Sequence, residues 1–248
     1  KNLIKLYLIK NDNNIYNSNL IKFYINNYLE NADLENACNI FNEINFFDDD
    51  YITKFKIYCL INEEKREQAQ LLFDLNEELG LKDEFYENKF NFLMKYVKTS
   101  NQKISDINIL NFHLSHRTIL DFFYQPKKNT PNFIWKYLSS SNLLENVDTI
   151  DLADGEKISL IEQATHEKNY QEKEMFELYK RFQFNINQLL NVKEAYKLLE
   201  NYEGRALLYQ RLILTKDTNE LLDLSFKLKE SFIEDNMENA FNNELKEI

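Results

Sequence analysis

Ala37 stands four residues before Phe41, and Ala69 stands four residues before Phe73. The two pairs lie in Leu34-Glu35-Asn36-Ala37-Cys38-Asn39-Ile40-Phe41 and Arg66-Glu67-Gln68-Ala69-Gln70-Leu71-Leu72-Phe73, about 32 residues apart. On a helix, positions i and i+4 share a face. A small residue there lets a neighbouring helix approach, and an aromatic one turn later fills the space beside it. Recurrence near this period predicts stacked antiparallel helix pairs, an all-α superhelix or α-solenoid with no β-sheet.

The supply of chain breakers agrees. Only 3 Gly and 2 Pro occur in 248 residues, and strand-rich folds depend on such residues for their turns. No apolar/polar alternation runs beyond a few residues. Asn, Lys, Ile, Phe and Tyr are all abundant, a mix that A+T-rich coding imposes, so the Asn excess is read as codon bias before function.

Cap residues place the helices. Ser18 opens one through Leu20, Ile21, Phe23, Tyr24 and Tyr28. Asp33 opens the next through Leu34, Ala37, Ile40, Phe41 and Ile44. Asp48 to Asp50 place carboxylates at the start of a third, where the helix dipole favours them. A fourth spans residues 67–79 with Gly80 at its C′ position, and Asp83 opens a fifth. Residues 98–103 read as a polar linker, and 105–124 as one or two helices with Ile107, Leu110, Phe112, Leu114, Ile119, Leu120 and Phe123. Residues 126–130 are the clearest break, dividing repeats at 1–125 from a less regular helical continuation at 126–248. Thr130-Pro131 reads as a cap followed by Pro at the first helical position. Further helical patterns cover 172–182, 186–199, 205–214 and 219–241.

Aligned on Ala37 and Ala69, residues 18–31 with 33–44, and 50–63 with 66–79, form two helix–turn–helix units. They resemble degenerate tetratricopeptide repeats, whose period is close to 34 residues. The units depart from that pattern: helix A has no central Gly and no Trp at its start, and Leu81 stands where a closing Pro would be. Ala195 with Leu199 is a partial third echo. Tyr58-Cys59-Leu60, Ala69-Gln70-Leu71-Leu72-Phe73, Gly80-Leu81-Lys82-Asp83-Glu84-Phe85 and Arg205-Ala206-Leu207-Leu208-Tyr209-Gln210 are similar to a bacterial family of long helical-repeat proteins with no assigned activity. That resemblance implies architecture alone, and that these residues are the C-terminal part of a longer protein.

Charge and motif content narrow the chemistry. The net charge of −11 disfavours nucleic-acid phosphates, and no apolar run is long enough to span a membrane. No Gly-x-Ser-x-Gly elbow, phosphate loop or dinucleotide fingerprint occurs, so neither an enzyme nor a cofactor is expected. His113 and His116 lack a third ligand for a metal, and Glu162 with His166 reads as a solvated i, i+4 pair. Cys38 and Cys59 are expected as buried, reduced thiols. That favours the cytoplasm, whereas a bridge between them would indicate the periplasm or another oxidising compartment.

Function is then expected to be binding: a non-enzymatic scaffold or adaptor that holds a protein or peptide, of basic character given the acidic chain. The alternatives are an accessory superhelical domain of a cell-envelope enzyme and a structural subunit of a larger assembly. Aromatic side chains uncovered around the break are the expected contact residues: Tyr124, Phe133, Trp135 and Tyr137, with Tyr209 and Arg205 as a second patch.

Overall fold

The computed structural model describes residues 18–42, 49–80 and 82–243. The apolar opening at residues 3–9, together with Ile44, Asp48 and Leu81, lies outside them. Among the described residues the chain is helical, without strand. It forms two compact units, Lys1–Gln125 and Pro126–Ile248.

The first unit holds α1 (Ser18–Leu29), α2 (Leu34–Cys38) with a 3₁₀ turn Asn39–Asn42, α3 (Asp50–Asn62), α4 (Arg66–Glu78), α5 (Glu84–Leu93) and α6 (Ile109–Thr118). Asp33, Asp49 and Asp83 cap α2, α3 and α5, each accepting the backbone N–H of the third residue of its helix. α3 is apolar on more than one face, burying Ile52, Phe55, Ile57, Tyr58, Cys59 and Ile61, the pattern of a central helix. Ala37 and Ala69 are fully buried. Phe73 is buried too and stacks on Phe90 at 3.9 Å between ring centroids. Phe41 falls in the 3₁₀ turn and is only partly buried, 5.8 Å from the Phe55 ring.

The second unit holds α7 (Asn132–Ser140), α8 (Gly155–His166), α9 (Glu172–Lys180), α10 (Ile186–Leu190), α11 (Val192–Ala195), α12 (Asn201–Leu214) and α13 (Thr218–Glu234). Its central helix is α12, where the run Gly204 to Tyr209 and Leu212 are all buried. Gly204 is required there, because a Cβ would stand 2.7 Å from the Tyr196 carbonyl oxygen.

The cysteines correct the expectation of reduced thiols: Cys38 at the end of α2 and Cys59 on α3 form a disulfide. The two helices bring their Cα atoms to 5.6 Å, inside the range a bridge needs.

Three local readings also change. The helix expected over 105–124 is α6 alone, and Ile107, Leu120 and Phe123 are exposed outside it. Asn108 caps α6 and Ile119 ends it in extended geometry. Pro131, not Thr130, is the N-cap of α7, and the Thr130 hydroxyl instead accepts the Lys127 N–H at 2.8 Å. The pattern over 186–199 breaks into α10, α11 and a 3₁₀ turn, which leaves Ala195 half-buried at the end of a four-residue helix.

Helix ends explain how a chain with so few glycines turns so often. Gly80 closes α4 at φ 84°. Ala32, Glu64, Lys95, Asn142, Lys168 and Asn236 take the same left-handed conformation after α1, α3, α5, α7, α8 and α13. Each sits within the paired backbone bonds of a Schellman motif. After α3, for example, Glu64 N–H donates to the Ile61 carbonyl at 3.0 Å and Lys65 N–H to that of Leu60 at 2.9 Å.

Candidate protein-docking surface

Of the six residues expected to contact a partner, Trp135, Tyr137, Arg205 and Tyr209 are core residues, each 5 % exposed or less. α7 turns Ile134, Trp135, Tyr137 and Leu138 inward together, and Trp135 joins the main apolar cluster of the second unit. The expectation that the break uncovers these aromatics is therefore corrected: the helix resumes at once and packs its rings. Phe133 and Tyr124 are half-buried. The Tyr124 ring meets Phe112 edge-on at 5.0 Å, and its hydroxyl donates to Asp106 at 3.1 Å.

Arg205 has a different place from the one expected. Its Nε donates to Glu162 Oε1 at 2.9 Å and its Nη2 to Glu162 Oε2 at 2.6 Å, a bidentate pair inside the second unit. Nη1 reaches Asp235 at 2.7 Å, and the guanidinium lies 5.0 Å from the Phe232 ring. The Tyr179 hydroxyl donates to Glu162 as well. Glu162 is 0 % exposed, not part of a solvated face. Its i+4 neighbour His166 instead accepts the Asn239 N–H at 3.1 Å. Burial opposes the Arg205 charge, but hydrogen bonds and the charge of Glu162 outweigh it and hold the guanidinium protonated. Burial, then the Glu162 carboxylate, push the Tyr179 hydroxyl well above its ordinary range. This network ties α8, α9, α12 and α13 together. Its donors and acceptors are spent on one another, which is the chemistry of a structural key.

Two further titratable groups are buried in the first unit. His113 Nε2 lies 2.9 Å from the Tyr58 hydroxyl. Burial, with help from the charges of Arg117 and His116, lowers His113 from 6.5 to about 3. Lys89 donates to Ser100 Oγ at 3.1 Å and to the Asn101 carbonyl at 2.9 Å, and burial lowers it to about 8. It thereby anchors the segment that reads as a linker. Among the described residues no cluster of three or more His, Cys, Asp or Glu could hold a metal ion, and no helix is long and apolar enough to cross a membrane.

The exposed apolar side chains tell more. On α4, Ala69, Phe73 and Asn76 face the core. Away from that core face, Leu71, Leu75 and the C-cap residue Leu79 are 63 %, 47 % and 80 % exposed. Their i, i+4, i+8 spacing aligns them over about 12 Å of helix. Glu67, Asp74 and Glu78, all exposed, run along one edge of this row. Among the described residues none of these three carboxylates is in a salt bridge. α13 presents a second exposed row, Leu222, Phe226 and Ile233. There Glu230 interrupts the row, and the neighbouring Asp223 is already paired with Lys193 at 2.6 Å and Lys227 at 3.0 Å. Neither row is among the contact residues expected from the sequence, which were aromatics around the break with Tyr209 and Arg205. The signal was present in α4, where Leu71, Leu75 and Leu79 repeat at i+4 off the face that carries Ala69 and Phe73.

Comparison with family models, curated proteins and solved structures finds no match for this chain.

Proposed function

We propose that this chain is a non-enzymatic helical scaffold, built from tetratricopeptide-like helix pairs, that holds a protein or peptide partner on the outer face of α4. The observation that carries the proposal is the solvent-facing row Leu71, Leu75 and Leu79. A water-facing row of aligned leucines carries a hydrophobic cost that a partner relieves. The pairs α1–α2 and α3–α4, with Ala37 and Ala69 buried in their second helices, support the repeat reading. The Cys38–Cys59 bridge supports an oxidising compartment such as the periplasm.

Quantitative co-purification from source cells, comparing the chain with its Leu71→Ser/Leu75→Ser variant, tests this. We expect a protein enriched by the native chain and lost with the variant, while the variant unfolds at the same denaturant midpoint. Equal recovery of every protein by both would contradict the reading.

A further inference from the structure

From the carboxylate edge of α4 we infer that its partner is a basic amphipathic helix, whose apolar row packs on Leu71, Leu75 and Leu79 while Lys or Arg side chains meet Glu67, Asp74 and Glu78. The inference rests on the scaffold reading and specifies the partner's chemistry. A row of leucines at i, i+4 and i+8 is a ridge, and the complement of a ridge on one helix is the groove between ridges on another. A straight partner helix can follow such a row for its two turns, whereas an extended strand would meet it only in passing.

The charge pattern selects the sign. Residues 66–80 carry Glu67, Asp74, Glu77 and Glu78 against the single cation Arg66. None of the four carboxylates is in a salt bridge among the described residues, in contrast to Asp223 beside the α13 row. Carboxylates on the rim of an apolar strip steer a cationic partner to it and fix its orientation. They also act against two other occupants. A second copy docked antiparallel on the same face would set the acidic edge against itself, since a two-fold contact pairs like edges. An anionic lipid surface would meet the same repulsion.

The test uses the full chain and two designed 18-residue helical peptides with identical leucine rows. One carries Lys along a flank and the other carries Glu, and binding is read by fluorescence anisotropy in low salt. We expect the Lys peptide to bind and the Glu peptide to bind at least about tenfold more weakly. Leu75→Ser should weaken the Lys peptide by about tenfold or more, because it removes the centre of the row. Asp74→Lys/Glu78→Lys should invert the preference between the peptides. Equal binding of both peptides, binding of neither, or a Lys peptide indifferent to Leu75→Ser would overturn the inference. So would a dimer of the chain that Leu75→Ser dissolves, since a second copy would then be the occupant. If the peptides fail while the co-purified protein still depends on Leu71 and Leu75, the basic-helix inference falls and the scaffold reading stands.

Discussion

At the scale of residues, the buried polar groups set the sharpest expectations. Arg205→Met should cost about 3–5 kcal/mol, because it leaves the Glu162 carboxylate buried without its cation. Adding Glu162→Leu should recover much of that loss. Urea unfolding of the single and double variants measures both, and a single-variant cost below about 1 kcal/mol would show the pair to be dispensable. His113 gives a pH dependence. Its pKa is about 3 in the folded chain against an ordinary 6.5, so the unfolded state binds the extra proton between those values. Its contribution is complete above about pH 6.5 and is lost as pH falls toward 3, by up to about 1.4 kcal/mol per pH unit. Unfolding free energies at pH 7, 5 and 4 should therefore fall less steeply for His113→Phe than for the native chain; parallel slopes would refute this. Neither the role of Arg205 nor that of Glu162 was legible in the sequence. The two are 43 positions apart, and only the packing of α8 against α12 brings them together.

At the scale of helices, much was legible. Asp33, Asp49 and Asp83 cap their helices, and Gly80 closes α4, because cap chemistry is local and acts on neighbouring backbone N–H groups. Helix C-termini were less so, since Ala32, Glu64 and Lys95 do the work usually left to Gly. A non-Gly residue in the left-handed region pays a steric penalty of about 1 kcal/mol. Glu64→Gly should accordingly stabilise the first unit, by at most about 1 kcal/mol, and calorimetry would register a raised Tm. A lowered Tm would mean that the Glu64 side chain contributes more than its strained backbone costs. Phe73→Ala should cost about 3–5 kcal/mol, since the ring is buried against Phe90. A loss below about 1 kcal/mol in chemical denaturation would place that ring outside the core.

At the scale of the molecule, composition and periodicity were enough for an all-helical chain, but not for which apolar residues would remain outside. Periodicity reports that a helix has an apolar face; it does not report whether the chain supplies a neighbour for each face. Hence Trp135 and Tyr137 lie in the core, while Leu71, Leu75 and Leu79 face water. The disulfide fastens the first unit. With the cysteines 21 positions apart in sequence, closing that loop in the unfolded chain is worth about 3 kcal/mol. Reduction, or Cys38→Ser/Cys59→Ser, should lower the stability of that unit by about this amount. The central claim is that α4 holds a partner on a face turned away from its core, and a scan with a photo-crosslinking amino acid at each position from 66 to 79 tests it most directly. Adducts to a partner protein should peak at 71, 75 and 78–79 and vanish at 69, 73 and 76, following the helical period. Adducts spread evenly along α4, or absent from 71 and 75, would contradict the claim.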